Sequence, residues 1–585
     1  MKQYIKNILV LLGDDARKLP WILLAFLGVS VLDIVGIGLI APYISIIIDP
    51  QVAIELVGRF FEINEKTINK DNILEVVSYS LLLVFFVKTL LAIWVNYIIV
   101  RYSADQQIRL RELLMKSYQS MKYSDYLLRN SSDYIHTTQT LTQQFSNSVL
   151  QVGLKAVSDL IVIVAIAILL FVTSPFVFFT LLGVFSLFLI IYDYIFSKKM
   201  TILGERANIA ASRMIQGIHE GVEGLKENRI LGIENFFLSK VVSGAKEYGS
   251  SHAISNIISL LPRYVIELIV ILFIVIFVLI ALSGSQSIDS VLPIFGIFSV
   301  AAIRLLPAIN SLSNGISQFR FNKDGVHRLL KDIKKAKENT FHFIERNKAN
   351  VVEFKDFSMK KVSFKYPNTG VDVISNLDIN FSSGQSIGFI GSSGSGKTTL
   401  IDIILGLLIP QSGKIMINNN LLVEGNVGLW WDSIAYIPQQ VFIIDDTLKQ
   451  NIALGVEEKK IDHERLIESI KMACLSETVS SLSKGVETML GERGIRLSGG
   501  QRQRISLARA FYHKRDVLVM DEATSALDSD TEREIIDEIK MLKGKVTLLI
   551  IAHRLTTLQS CDLIYKLENG KIVECGTPKE IIGYH

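Results

Sequence analysis

Gly391-Ser392-Ser393-Gly394-Ser395-Gly396-Lys397-Thr398 is the stretch that decides how the second half of this 585-residue chain folds. It fits the phosphate-binding pattern G-x-x-x-x-G-K-[ST]. Its surroundings agree. Ser386-Ile387-Gly388-Phe389-Ile390 reads as a strand entering the loop, and Thr399–Leu408 reads as an apolar-faced helix leaving it. The glycines let backbone N–H groups turn inward around phosphate oxygens, and the helix N-terminus adds a favourable dipole. In this setting Lys397 neutralises the β- and γ-phosphates of a nucleotide, and Thr398 is a Mg²⁺ ligand. Gly391, Ser392, Ser393, Gly394, Ser395, Gly396, Lys397, Thr398 and Thr399 are thus candidate nucleotide-binding residues.

Downstream, Val517-Leu518-Val519-Met520-Asp521-Glu522 is a run of four apolar residues ending in two carboxylates. A buried strand of this kind delivers both acids beside the phosphates. Asp521 is expected to hold Mg²⁺ through water. Glu522 is placed to polarise the attacking water as general base.

Upstream, the composition changes. The chain is 49% hydrophobic, which is high for a soluble protein of this length. The excess lies in six apolar segments: Pro20–Ile48, Ile73–Val100, Leu154–Val172, Pro175–Phe196, Ile254–Leu282 and Val291–Leu312. Each is long enough to cross a hydrocarbon core of about 30 Å, and helices are the expected form because lipid offers backbone groups no other partner. The first apolar stretch is too long for a cleavable signal. The links after the second and fourth segments are long and rich in Lys and Arg, as is the stretch before the first. The positive-inside rule then places both termini in the cytoplasm. The two inside links have helix-compatible composition and are expected to extend as helices, with short helices near Tyr123–Leu128 and Lys226–Ile233. From Val351 the pattern becomes short β-branched strands between turns. The expected organisation is a six-helix membrane domain over 1–330, a linker over 331–350 and an α/β nucleotide domain over 351–585.

The net charge of +4 gives no reason to expect nucleic-acid binding. The three cysteines, Cys474, Cys561 and Cys575, lie in the nucleotide half without ligand spacing and read as reduced structural thiols.

Leu497-Ser498-Gly499-Gly500-Gln501 precedes the Asp521 strand. It presents another helix N-terminus, with Ser498, Gly499, Gly500 and Gln501 offering donors to a phosphate. This pentapeptide is the signature of ATP-binding-cassette proteins, and the chain resembles exporter-type ABC half-transporters over its whole length. The resemblance implies two copies with two ATP sites, each P-loop completed by the partner's pentapeptide. It implies that Tyr366 stacks on adenine and that Gln439 contacts Mg²⁺. It gives His553 a contact to the γ-phosphate and makes Asp528 part of the loop joining the copies. It also makes Gly491-Glu492-Arg493-Gly494 an exporter-type sensing loop. Glu522, His553 and Lys397 would be the catalytic set, with ATP and Mg²⁺ as cofactors.

Several charges fall in or beside the apolar segments. Charges at bilayer depth usually face a bundle interior or a watery cavity. Lys88, Arg263 and Arg304 are candidates for a cationic substrate path, while Lys155, Asp159 and Asp193 read as interfacial. Val52–Phe61 has apolar residues at helical spacing and could lie in the outer interface against a lipid tail. Leu261–Glu267, Arg304–Asn310 and Arg129–Tyr134 resemble bacterial transporters of lipid-linked oligosaccharides. That likeness implies a flippase in the bacterial inner membrane moving a polyprenyl-pyrophosphate oligosaccharide. Lipid A, another lipid, a peptide or a drug is the alternative substrate.

Overall fold

Each of the six apolar segments lies in a helix: Leu19–Ile48, Lys70–Gln119, Val152–Thr173, Pro175–Glu223, Glu234–Ser283 and Ile288–Phe321. The computed structural model describes residues 2–48, 70–173, 175–283, 288–338, 353–367, 369–523, 529–552 and 555–583. The Val52–Phe61 stretch, Ser525–Asp528 and His553 lie outside these, as does the Arg304 side chain. Among the described residues, four helices are long and apolar enough to cross a membrane. Lys70–Gln119 has 50 residues, a length of about 75 Å at 1.5 Å per residue, far more than a bilayer core needs. The inside links are therefore continuous extensions of the spans.

The chain forms two compact units. One is Met1–Gln119 with Arg129–Glu338, and the other is Ser120–Leu128 with Asn339–His585. The helix Lys323–Glu338 carries the first unit past Leu330, because Val326, Leu329, Leu330 and Ile333 recur at helical spacing and are all buried. They join Leu110, Leu114, Leu141 and Phe145 in one apolar cluster.

Within the helical unit, close approach is set by small residues. A Cβ on Gly204 would lie 1.7 Å from the Phe321 carbonyl oxygen, so only glycine fits this crossing. Pro262 sits inside Glu234–Ser283 and cannot donate to the carbonyl four residues earlier. That carbonyl, Ile258 O, instead accepts from Tyr192 Oη at 2.8 Å. The same hydroxyl lies 3.0 Å from Ser317 Oγ, so three helices meet at one polar point. Two wide-turn π segments, Thr137–Leu141 and Phe145–Gln151, precede the third span. Such bulges re-aim side chains and often mark functional positions.

Among the described residues, the other unit has ten strands: β1 Asp356–Phe364, β2 Ile374–Ser382, β3 Ser386–Gly391, β4 Ser412–Ile417, β5 Asn420–Leu421, β6 Ile434–Ile437, β7 Val517–Asp521, β8 Thr547–Ile551, β9 Leu563–Glu568 and β10 Lys571–Gly576. β2-β1-β4-β5 make an antiparallel sheet. The second sheet has the order β10-β9-β3-β8-β7-β6, parallel from β9 to β6. β7 and β8 are buried along their whole length, as expected of parallel strands covered on both faces. Phe357, Phe389, Leu400 and Trp430 lie in one of this unit's apolar cores, and Tyr123 of the short helix Tyr123–Tyr126 packs against it.

Candidate functional site

The nucleotide site is built at the carboxyl ends of β3 and β7, where open α/β sheets place their ligands. β3 leads directly into the phosphate-binding loop. The helix behind the loop runs Lys397–Ile404, starting two residues earlier than the sequence suggested and ending before Gly406, whose φ of +70° stops it. Gly396 has φ +101°, and a Cβ on Gly391 would meet the Leu567 carbonyl oxygen at 2.4 Å. The loop's curvature thus depends on glycine at both positions. Lys397 is buried, and Nζ donates to Gly391 O at 2.8 Å and Ser392 O at 3.0 Å. An ammonium has three donors, so one remains for an anion. Ser395 Oγ is buried with no hydrogen-bond partner among the described residues. An inward-turned loop with spare donors at a helix N-terminus fits a polyphosphate.

Asp521 ends β7 and is 5% exposed. Glu522 follows with φ +51°, a left-handed conformation that costs a non-glycine residue about 1–2 kcal/mol. Its N–H donates to Ile551 O at 3.0 Å, which holds the turn off the sheet edge. Gln439 Nε2 donates to Glu522 Oε2 at 2.8 Å. Gln439 and Glu522 are therefore brought together beside Asp521. Tyr366 is half-buried, with Oη 3.1 Å from Thr399 Oγ1 on the phosphate-loop helix and its ring edge-on to Phe364. Ser498 caps the helix Gly499–His513: Ser498 Oγ accepts from Gln501 N at 3.2 Å, and Gln501 Oε1 accepts from Ser498 N at 2.9 Å. This capping box fixes the helix start and aims the free N–H groups of Gly499 and Gly500 outward.

Sequence reasoning passed over Asp402, on the phosphate-loop helix. Burial, and then the charge of Asp521, push its carboxyl up to about 6. The Tyr436 phenol, raised by burial and by both acids, and Tyr123 share this pocket. An unfolded aspartate titrates near pH 4, roughly. The folded protein therefore binds the Asp402 proton more tightly, and stability falls as pH rises from about 4 to about 6. Asp402→Asn is expected to stabilise nucleotide- and Mg²⁺-free protein at pH 8 by about 1–2 kcal/mol, after allowance for partial exposure, and so to raise its melting temperature. Below pH 4 the gain should vanish; melting curves in EDTA at several pH values check this.

The helical unit holds a cavity of about 1100 Å³. Asn147, Gln151 and Lys155 face it from the third span and its π segment. Asn256, Ser259, Arg263 and Glu267 face it from Glu234–Ser283, and Asn310, Asn314 and Gln318 from Ile288–Phe321. Of the expected cationic trio, Arg263 lies on this wall among the described side chains. Lys88 is buried elsewhere, with Nζ 5.3 Å from the Phe85 ring centroid. Lys155, read from the sequence as interfacial, lines the cavity instead, because a spacing of four residues puts it on the face of Asn147 and Gln151. Asp193 pairs with Arg320.

A phosphate loop on a mostly parallel sheet, joined in one chain to helices long and apolar enough to cross a membrane, defines a P-loop nucleotide-binding domain fused to a helical one. Residues 374–525 match the ABC transporter family. The ATP-dependent lipid A-core flippase of Ralstonia nicotianae is 38% identical over 39% of this chain and 38% of its own length. The protein of the same description from Cupriavidus pinatubonensis is 28% identical over 74% of this chain and 72% of its own. The first alignment thus spans about two fifths of its relative. In fold, the chain is similar to a bacterial Atm1-family ABC exporter with ATP bound, with a TM-score of 0.77, 20% identity and 96% of each chain covered. The chain thus has the fold of an ABC exporter, and its nucleotide half carries a match to the ABC transporter family.

Proposed function

We propose that two copies of this chain form an ATP-driven flippase that moves a lipid-linked oligosaccharide, of the polyprenyl-pyrophosphate kind, from the inner to the outer leaflet of the bacterial inner membrane. The observation that carries this reading is the polar, Arg263-bearing cavity inside an otherwise apolar bundle. A drug-binding cavity would be expected to be apolar and aromatic. Here the charged and amide groups suit a head group that crosses while its lipid tail stays in the bilayer.

One chain carries one phosphate loop and one signature pentapeptide, so a symmetric pair makes two complete sites. The helix Leu225–Leu231 keeps Ile230 and Leu231 74% and 67% exposed within its own chain, and a second copy would cover them. ATP with Mg²⁺ supplies the phosphoryl bond whose hydrolysis drives the cycle. Lys397 and the loop N–H groups hold the phosphates, Thr398, Gln439 and Asp521 hold the metal, and Glu522 polarises the water. His553 and Asp528 belong to the same proposed set.

Both named relatives are lipid A-core flippases, so a phosphorylated lipid A-type glycolipid is the second reading. Proteoliposomes containing the purified protein should translocate a labelled polyprenyl-pyrophosphate oligosaccharide only with ATP and Mg²⁺. Translocation of a lipid A-type probe alone would favour the second reading, and translocation of a drug alone would overturn both.

A further inference from the structure

The cavity wall has a regularity that charge does not explain. Asn147, Gln151 and Lys155 recur every fourth residue, as do Asn310, Asn314 and Gln318. Residues at this spacing share one face of a helix. A run of eight residues extends about 12 Å along its axis. Asn256, Ser259, Arg263 and Glu267 form the third stripe at spacings of three and four. By the positive-inside topology, all three stripes occupy the cytoplasmic ends of their spans.

Neutral amides predominate among these groups. An amide offers both donors and an acceptor, and so matches a hydroxyl, which also does both. A ligand with charge alone would need only the cations. Two atoms of the wall, Asn310 Oδ1 and Ser259 Oγ, are buried with no hydrogen-bond partner among the described residues. Buried polar atoms are normally satisfied, so these two leave unmet hydrogen-bonding capacity in the wall. The Tyr192 bridge between the three helices fixes Ile258, immediately beside Ser259, and Ser317, immediately beside Gln318. The stripes are thereby held in register on a rigid support.

We propose that this cavity reads carbohydrate: amides from three helices bind the hydroxyls of a sugar head group, while Arg263 and Lys155 hold its phosphate. The inference rests on the flippase reading and deepens it by assigning substrate selection to the amides. The recognised chemistry is a phosphorylated sugar on a lipid, which a polyprenyl-pyrophosphate glycan and a lipid A-type glycolipid share. The cytoplasmic position of the stripes makes this the loading site, where the head group is selected before it moves.

The test uses full-length protein in proteoliposomes and measures lipid-stimulated ATP hydrolysis and flipping. The probes are undecaprenyl pyrophosphate, the same lipid bearing an oligosaccharide, and a lipid A-type glycolipid. The glycan-bearing probe should half-saturate at a concentration about tenfold lower than the bare one, the effect of one or two net hydrogen bonds. Asn310→Ala with Asn314→Ala should bring the two probes together, whereas Arg263→Ala should weaken both alike. If the double variant does not fold, Gln318→Leu, half-buried near a helix end, serves for the same comparison. A preference for the lipid A-type probe over bare undecaprenyl pyrophosphate, lost in the amide variants, supports the site and identifies the other source of the sugar. Equal response of the unsubstituted protein to bare and glycosylated lipid, with flipping of both, overturns the carbohydrate site and leaves the flippase standing. No flipping of any lipid probe overturns the flippase reading itself.

Discussion

Glu522→Gln leaves nucleotide binding intact and lowers ATP turnover by about 10²–10⁴-fold, the usual contribution of a positioned general base. The side chain stands at the end of β7, one residue past buried Asp521, and its oxygen accepts from Gln439. A glutamine has the same shape, and its amide oxygen can keep that bond. It strains the left-handed backbone no more than glutamate does, because the φ of +51° is set by the turn and the bond from its N–H to Ile551 O. The variant should therefore fold and melt like the parent while lacking the basic oxygen. Turnover is read by phosphate release, and binding by titration with a fluorescent nucleotide. Turnover above a tenth of the parent's would assign the base elsewhere. Weakened nucleotide binding would instead place Glu522 among the groups that hold the phosphates.

The phosphate-loop structure was legible in the sequence because its pattern is local. A phosphate loop needs its glycines, lysine and hydroxyl in one short stretch, so Gly391–Thr398 specifies both the loop and the strand and helix flanking it. The box between Ser498 and Gln501 is likewise a contact over three residues. Asp402 escaped notice for the opposite reason. Its raised carboxyl arises first from burial and then from Asp521, more than a hundred residues away in the chain but close in the fold. The bond between Gln439 and Glu522 is equally invisible before β6 and β7 are paired.

In the N-terminal half, the six apolar helices and their long extensions followed from hydropathy and composition. The cavity did not, because attention to charge singled out Lys88, Arg263 and Arg304 one by one. The cavity is written instead in periodicity: Asn147–Gln151–Lys155 and Asn310–Asn314–Gln318 each mark one helix face. That pattern is present in the sequence, and looking for polar residues at four-residue spacing within apolar segments would have found it. Which stripes converge depends on helix packing, set by contacts such as Gly204 against the Phe321 carbonyl.

Asp332→Ala is the second large expected effect, on the yield of transport per ATP. The chain passes between its two units at three places: Gln119 to Ser120, Leu128 to Arg129, and Glu338 to Asn339. Asp332, on the helix that leads to the last of these, accepts from Tyr118 Oη at 2.8 Å and from Arg129 at 2.8 Å. Its two partners bracket Ser120–Leu128, the segment whose Tyr123 packs on the nucleotide unit's core. Arg129 also donates to Thr137 Oγ1 and lies 4.6 Å from the Tyr134 ring centroid, so its position is fixed from several sides. The Asp332 side chain is 11% exposed, and removing it leaves the Arg129 guanidinium, 28% exposed, with Asp133 at 4.0 Å as its remaining counter-charge, at a cost of about 2 kcal/mol. A purely structural role would lower stability, hydrolysis and flipping together. A coupling role predicts that the folded fraction of Asp332→Ala still hydrolyses ATP at near the parent rate while flipping falls about tenfold or more, since Tyr118 and Arg129 no longer move as one body with the helix Lys323–Glu338. Asp332→Asn, which can keep both acceptor contacts, should restore much of the flipping if geometry is what matters, and little if the charge of the pair with Arg129 is required. Measuring hydrolysis and flipping on the same proteoliposomes gives the ratio directly, and an unchanged ratio in Asp332→Ala would remove this aspartate from the path between the ATPase and the membrane helices.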